Sequence, residues 1–241
     1  MAIRVAIIGA GGYTGAELVS LLAAHPGVDL VGLFGGKTTA GSRMSDLHPR
    51  LRSICDDVVL PSEPTTIAAA SPDVVFLATP HEASHDLAPV LLEQGWIVID
   101  LSAAFRLSDP AQYPIHYRFE HRYPELLSSA VYGLPELNRD ELRSADLIAA
   151  PGCYATAATL AIAPFAQAGQ ISSGTRPIID GVSGVSGAGR TPNERTHFCN
   201  ISLQPYAVGQ HRHTPEIAEH ARTPVVFTPH LAEYERGMPR S

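Results

Sequence analysis

Three groups of residues could do chemistry together in this chain. The first is Cys153, in the stretch "LIAAPGCYATAATL" (147–160), where a cysteine follows Pro-Gly and opens a run of small residues with helical character. A thiol in the first turn of a helix lies at the positive end of the dipole, which favours thiolate over thiol. The amide N–H groups of such a turn can also hold an oxyanion that forms on a substrate carbonyl. Those features suit a nucleophile, and a helix start predicts a lowered pKa; a small buried cysteine filling a strand-to-helix corner fits the same position. The second group is His211 and His213 in "GQHRHTPEI", two apart, which would share a face on a strand. Imidazoles titrate near neutrality, so one could serve as general acid/base to a thiol. The third is Arg190, at the exit of the glycine-serine loop in "IIDGVSGVSGAGR" (178–190), a place suited to gripping an anion. Together they favour the reactive reading of Cys153.

A different chemistry is written at the N-terminus. In "IRVAIIGAGGYTGAEL" a short apolar β-branched run leads into Gly9, Gly11, Gly12 and Gly15, and a helical period follows from Tyr13. The third glycine of GxGxxG would fall on Thr14, so the fit is GxxGxxG through Gly9, Gly12 and Gly15. Either form lets backbone N–H groups approach a pyrophosphate at a helix N-terminus. The next strand, "VDLVGLF", ends in Gly35-Gly36-Lys37-Thr38 with no acid for a ribose 2′-hydroxyl. Room and a cation there favour NADP over NAD, although Lys37 also reads as a solvated loop lysine. Candidate cofactor contacts are thus Gly9, Gly12, Tyr13, Thr14, Gly15, Lys37 and Thr38, together with Pro80, His81 and Ser102 at the ends of two later strands. His81 and His85 are spaced four apart on a helix, but with no third ligand they do not specify a metal.

These residues need scaffolds to hold them. "PDVVFLATP" (72–80) and "WIVIDLS" (96–102) are two more apolar strands around a helical "HEASHDLAPVLLEQG". The expectation is an α/β protein: a Rossmann-type doubly wound parallel sheet over residues 1–150, followed by an α+β catalytic domain over residues 151–241. The stretch from 113 to 146, rich in Tyr, Pro and charge, reads as a loop-rich connection. Composition bounds the rest. The chain has 241 residues, 45% hydrophobic and 17% charged, with no apolar run of membrane-spanning length and no signal-peptide layout, so a cytoplasmic location is expected. A net charge of −7 argues against broad attraction to nucleic acid. Cys55, Cys153 and Cys199 are odd in number and lack CxxC spacing, which disfavours a disulfide framework or a four-thiolate zinc site.

The ordered series "GAGGYTGAEL", "ATPHEAS", "DLSAAFRL", "YGLPELNR", "APGCYATAATLA", "GVSGAGR", "THFCNISLQPYAVGQHRHTPEI" and "VVFTPHL" resembles the N-acetyl-γ-glutamyl-phosphate reductases along essentially the whole chain. These are NADPH-dependent enzymes of arginine biosynthesis and siblings of the aspartate-semialdehyde dehydrogenases. The resemblance implies that Cys153 attacks an acyl phosphate to give a thioester, that hydride from NADPH reduces it, and that a semialdehyde leaves. It implies His213 as acid/base, with His211 contacting substrate and His230 as a more remote option. Arg106 and Arg190 become candidates for the phosphate or the α-carboxylate, with Ser183 and Ser186 lining the site. Arg106 could instead brace a domain junction, and the serines could be turn formers. A homo-oligomer is also implied.

Two departures accompany the resemblance. The family reads Ser-Ala-Asp-Phe-Arg where this chain has Ser102-Ala103-Ala104-Phe105-Arg106, so an acid near the arginine is missing. Family members also continue past "FTPHL", which implies that the second domain is incomplete at its C-terminal end, with strand edges left uncovered. Alternative readings are a reductase of a related acyl phosphate (aspartyl or N-acyl-aminoadipyl), an inactive NADP-binding remnant, and an aldehyde dehydrogenase that needs no phosphate.

Overall fold

A computed structural model describes residues 1–235. Its elements are β1 (Ile3–Ile8), α1 (Tyr13–Ala23), β2 (Val28–Gly35), α2 (Met44–Leu47), β3 (Leu60–Pro61), α3 (Pro64–Ala69), β4 (Val74–Leu77), α4 (His81–Leu92) and β5 (Ile97–Asp100). There follow α5 (Gln112–His116), α6 (Pro124–Ser129), β6 (Val131–Tyr132), α7 (Pro135–Leu142), β7 (Leu147–Ala149) and α8 (Cys153–Gln167). The described chain ends with β8 (Ile178–Gly184), β9 (Gln204–Pro205), α9 (His213–His220) and β10 (Val226–Ala232). No helix among the described residues is long and apolar enough to cross a membrane.

Two compact units form. The first holds Met1–Phe105, Ser128–Gly133 and Asn138–Ala150; the second holds Arg106–Leu127, Leu134–Leu137 and the chain from Pro151. The single cut expected at residue 150 is therefore an interleaved one. β6 and β7 pair into the first sheet, whereas Tyr113 and Tyr117 pack with the aromatic cluster of Phe119 and His121 in the second unit. The region expected to be loop-rich also carries three short helices. Two of them, α6 and α7, begin with Pro-Glu, which suits the first turn because proline's missing N–H is unneeded there and the acid complements the dipole.

The first unit is a seven-stranded sheet in the order β3-β2-β1-β4-β5-β7-β6, every pairing parallel. Ile8 is level with both Phe34 and Leu77, and Leu77 with Asp100, so the C-terminal ends of β2, β1, β4 and β5 form one edge. Strand β1 is buried from Val5 onward, as expected for a central parallel strand covered on both faces. Ile7, Ala16, Val19, Leu33 and Met44 form its core.

In the second unit β8 and β10 run parallel, and β9 adds antiparallel to β10 over two residues. Helices α8 and α9 pack together against this sheet through Tyr154, Ala155, Ala158, Ile217, Ala221 and Phe227. That core fixes the start of both helices, which is where the candidate side chains Cys153 and His213 lie.

Candidate active site and nucleotide-binding turn

The sequence places a glycine at each point where the nucleotide turn has no room for a side chain. Gly9 has φ +92°, and a Cβ there would come within 2.3 Å of the Ala78 carbonyl oxygen in the neighbouring loop. A Cβ at Gly15 would come within 2.3 Å of the Gly9 carbonyl oxygen, so this glycine sets how closely α1 meets the turn. Gly12 is the N-cap of α1 and provides no side chain to cap the helix. Tyr13 and Thr14 follow on the exposed first turn, where helix amides lack internal acceptors. Lys37 and Thr38 are exposed just past β2. Pro80 caps α4, and His81 opens it; His81 Nδ1 accepts the Ala103 N–H at 3.0 Å.

Ser102 is buried, and its hydroxyl is engaged locally, donating to Asp100 Oδ2 at 2.8 Å and accepting the Ala104 N–H at 3.0 Å. His85 is also buried and bonds to Asp86, and no group of three metal-ligating side chains exists among the described residues. One contributor has no signature in sequence: His48, buried beneath the turn, whose Nε2 lies 2.9 Å from the Gly11 carbonyl oxygen. A glycine turn made from backbone alone, at an open helix N-terminus and with a lysine past β2, fits a dinucleotide phosphate chain.

The catalytic candidates assemble around a second glycine. Gly152 is the N-cap of α8, and Cys153 is its first residue. A Cβ at Gly152 would lie 2.6 Å from both Cε1 and Nε2 of His213 and 2.9 Å from Arg106 Nη1. Imidazole and guanidinium therefore converge on the turn that carries the thiol. The Gly152 N–H donates to Glu216 Oε1 at 2.8 Å, and Glu216 Oε2 pairs with Arg106 Nη1 at 3.6 Å. Glu216 is fully buried, and Arg106 is 7% exposed. Each charge compensates the other, which a buried ion needs. The carboxylate beside Arg106 thus comes from α9, a contact spanning 110 residues (216 − 106) that no local pattern reveals.

His211 and His213 meet in a different way from the strand expected. His213 is the first residue of α9, and its N–H donates to His211 Nδ1 at 3.2 Å. The rings lie 4.8 Å apart, edge to face. Pro215 suits a first helical turn, and buried His213, Glu216 and Ile217 form the inward stripe of α9. Burial, and then the nearby Arg212 charge, lower the His211 pKa to about 4. His211 is therefore neutral at pH 7, with Nδ1 acting as acceptor and Nε2 3.4 Å from the Tyr206 hydroxyl.

The thiol corrects an expectation. Its surroundings raise its pKa: burial pushes it up, outweighing the Tyr154 amide N–H and the Arg106 charge that pull it down. The helix start acts in the expected direction, but crowding by protein atoms prevails. Cys153 still meets solvent, because it lines an open cavity of about 990 Å³ together with Tyr154, Ser183, Tyr206, His211 and His213. Ser183 is buried on that wall. Ser186 and Arg190 do not line the cavity; Ser186 sits in a short 3-10 turn, and Arg190 is exposed beyond it. Arg118 and Arg212 line it instead, and neither stood out in the sequence. Cys199 is exposed, with its N–H donating to His197.

Comparisons with known proteins agree with this geometry. A family model described as "Semialdehyde dehydrogenase, NAD binding domain" matches residues 4–145, and one described as "Semialdehyde dehydrogenase, dimerisation domain" matches residues 153–240. N-acetyl-gamma-glutamyl-phosphate reductase of Salmonella typhi is 50% identical over 234 residues, covering 96% of this chain and 70% of that protein. The protein of the same name from Escherichia coli (strain K12) is 50% identical over 237 residues, with the same coverage. Aspartate semialdehyde dehydrogenase II from Vibrio cholerae shares the fold at TM-score 0.64 and 18% identity, over 97% of this chain and 71% of that one. The Candida albicans enzyme, solved with NADP, does so at TM-score 0.63 and 15% identity, over 96% and 68%. This chain belongs to the N-acetyl-gamma-glutamyl-phosphate reductase family of semialdehyde dehydrogenases.

Proposed function

We propose that this protein catalyses the NADPH-dependent reductive dephosphorylation of N-acetyl-γ-glutamyl phosphate to N-acetylglutamate semialdehyde, acting in the cytoplasm as a homo-oligomer. Residues 1–150 would supply most of the dinucleotide site, through Gly9, Gly12, Tyr13, Thr14, Gly15, Lys37, Thr38, Pro80 and His81. Residues 151–241, joined by Arg106 and its segment, would supply the chemistry. The observation that carries this reading is the convergence of His213 Nε2 and Arg106 on Gly152, the residue before Cys153.

A thiol whose pKa is raised by burial needs a base when it attacks. His213 is placed for that role, because His211, with its pKa lowered to about 4 and its Nδ1 occupied by the His213 N–H, is a weak base. In the forward direction Cys153 Sγ bonds to the γ-carbonyl carbon, the C–O bond to phosphate breaks, and His213 takes the thiol proton. First-turn amides of α8 lie where they can steady the carbonyl oxygen as it gains charge. The dinucleotide, when bound, supplies the hydride that brings the thioester to the aldehyde level. His213 then returns its proton to the substrate oxygen and recovers one as the C–S bond breaks. Lys37, past an acid-free end of β2, supports NADP as the form used. The family model for a dimerisation domain supports the oligomer.

The test is the reverse reaction: N-acetylglutamate semialdehyde, phosphate and NADP mixed with the purified chain, following reduced nicotinamide. The reading expects a signal that requires phosphate and is absent in Cys153→Ser. Turnover that persists without phosphate would contradict it.

A further inference from the structure

The substrate proposed above carries two anions, a phosphate on the carbon that sulfur attacks and a carboxylate on the α-carbon. Arg106 is committed to Glu216, and it is the cation whose charge the Cys153 thiol feels; Arg190 does not line the cavity. The arginines that line the cavity are Arg118 and Arg212, and Glu194 is the one acidic residue on the same lining. We infer that Arg118 and Arg212 form the subsite for the α-carboxylate and so set which acyl phosphate is accepted.

Both arginines are anchored to one buried ring. Tyr117, 6% exposed, immediately precedes Arg118; its hydroxyl donates to the Arg212 carbonyl oxygen at 3.3 Å, and the Arg212 guanidinium lies 5.9 Å from its ring centroid. Arg212 in turn stands between His211 and His213, so the subsite and the acid/base share one segment. Arg118 has φ +64°, a left-handed conformation that costs a branched or long side chain stability and that glycine adopts freely. Its N–H is fixed on the Tyr113 carbonyl oxygen at 3.0 Å, and its side chain enters no ion pair among the described residues. An arginine in a strained conformation on the cavity lining fits a residue placed there for its charge. The phosphate must sit beside sulfur; the more distant carboxylate falls to Arg118 and Arg212, whose planar forks suit it.

This inference deepens the proposed function and rests on it, so its test needs an arm independent of turnover. In the reverse reaction N-acetylglutamate semialdehyde is compared with 4-acetamidobutanal, the same aldehyde lacking the α-carboxylate. Arg118→Ala and Arg212→Ala are each expected to lower kcat/KM for the first about ten- to hundredfold, mostly through KM, and to leave the second within about twofold. Arg118→Gly should show the same loss with thermal stability held or raised, which separates a missing charge from misfolding. In the binding arm, calorimetry compares N-acetylglutamate with 4-acetamidobutyrate. Wild type should favour N-acetylglutamate, and either substitution should remove the preference. The inference is overturned if both aldehydes suffer equally, if the KM for phosphate rises instead, or if wild type binds the two acids alike. Absence of wild-type turnover with the binding preference intact would break the proposed reaction and leave the subsite standing.

Discussion

Two turns in this molecule share one plan, a short strand, a glycine and a helix N-terminus, and they use it differently. In the first, Gly9 and Gly15 make room for backbone: a Cβ at either would strike a carbonyl oxygen of the turn itself or of the adjacent loop. No side chain caps α1, and its first turn is open to a ligand. At Gly152–Cys153 the glycine makes room for side chains, His213 and Arg106, and a fully buried carboxylate already holds its N–H. The first turn is shaped as a cradle that would suit an arriving anion, and the second is a clamp around the proposed nucleophile. The same local geometry serves both, so the tertiary partners decide the role.

This contrast can be tested by breaking each turn in its own way. Removing the nucleophile has the largest effect: Cys153→Ala should abolish phosphate-dependent turnover, by about 10³-fold or more, while NADP binding measured by fluorescence stays intact. Gly152→Ala comes next, because its methyl group would meet His213 and Arg106 inside contact distance. A loss of about 10²-fold in kcat is expected, with stability falling by about 1–3 kcal/mol, read from single-turnover kinetics and denaturant melts. Gly9→Ala, the matching change in the cradle, should instead raise the KM for NADP with little effect on Cys153 alkylation.

The clamp's charge pair makes a stability prediction. Glu216→Gln removes the buried carboxylate charge that faces Arg106 and should cost about 3–5 kcal/mol in urea unfolding. Glu216→Asp should recover part of that.

A smaller effect comes from His211. Its pKa is lowered to about 4 in the folded protein, against about 6.5 unfolded, so the unfolded state binds more protons between those values. The contribution is fully present above pH 6.5 and is lost as pH falls toward 4, by about 3 kcal/mol. His211→Gln should flatten the pH dependence of the melting temperature in that window; an unchanged slope would contradict the burial argument. Smallest is Lys37→Ala, for which about a tenfold loss of preference for NADP over NAD is expected.

What the sequence disclosed was local. The βαβ unit around Gly9 and the helix that begins at Cys153 could be read because turn chemistry and hydrophobic period lie within a few residues of each other. The Pro-Glu starts of α6 and α7 were equally readable, and the reading of a loop-rich 113–146 passed over them. Glu216 as the partner of Arg106, and the bond it accepts from Gly152 across 64 residues, could not be read, because tertiary packing alone brings them together. The same holds for the cavity wall, where Arg118 and Arg212 line the space and Arg190 does not. The thiol failed as a local inference for a related reason. Dipole and amide effects on Cys153 are local and were anticipated, but burial is set by the whole unit, and it raises the pKa.

The central claim is that Cys153 is acylated, and the most direct measurement omits the reductant. The chain would be mixed with N-acetyl-γ-glutamyl phosphate in the absence of NADPH, quenched in acid, and its peptides weighed by mass spectrometry while released phosphate is counted. The account predicts about one phosphate released rapidly per active site, with an N-acetylglutamyl adduct on the Cys153 peptide that hydroxylamine removes. Phosphate release with an unmodified Cys153, or an adduct on Cys199 in its place, would contradict it.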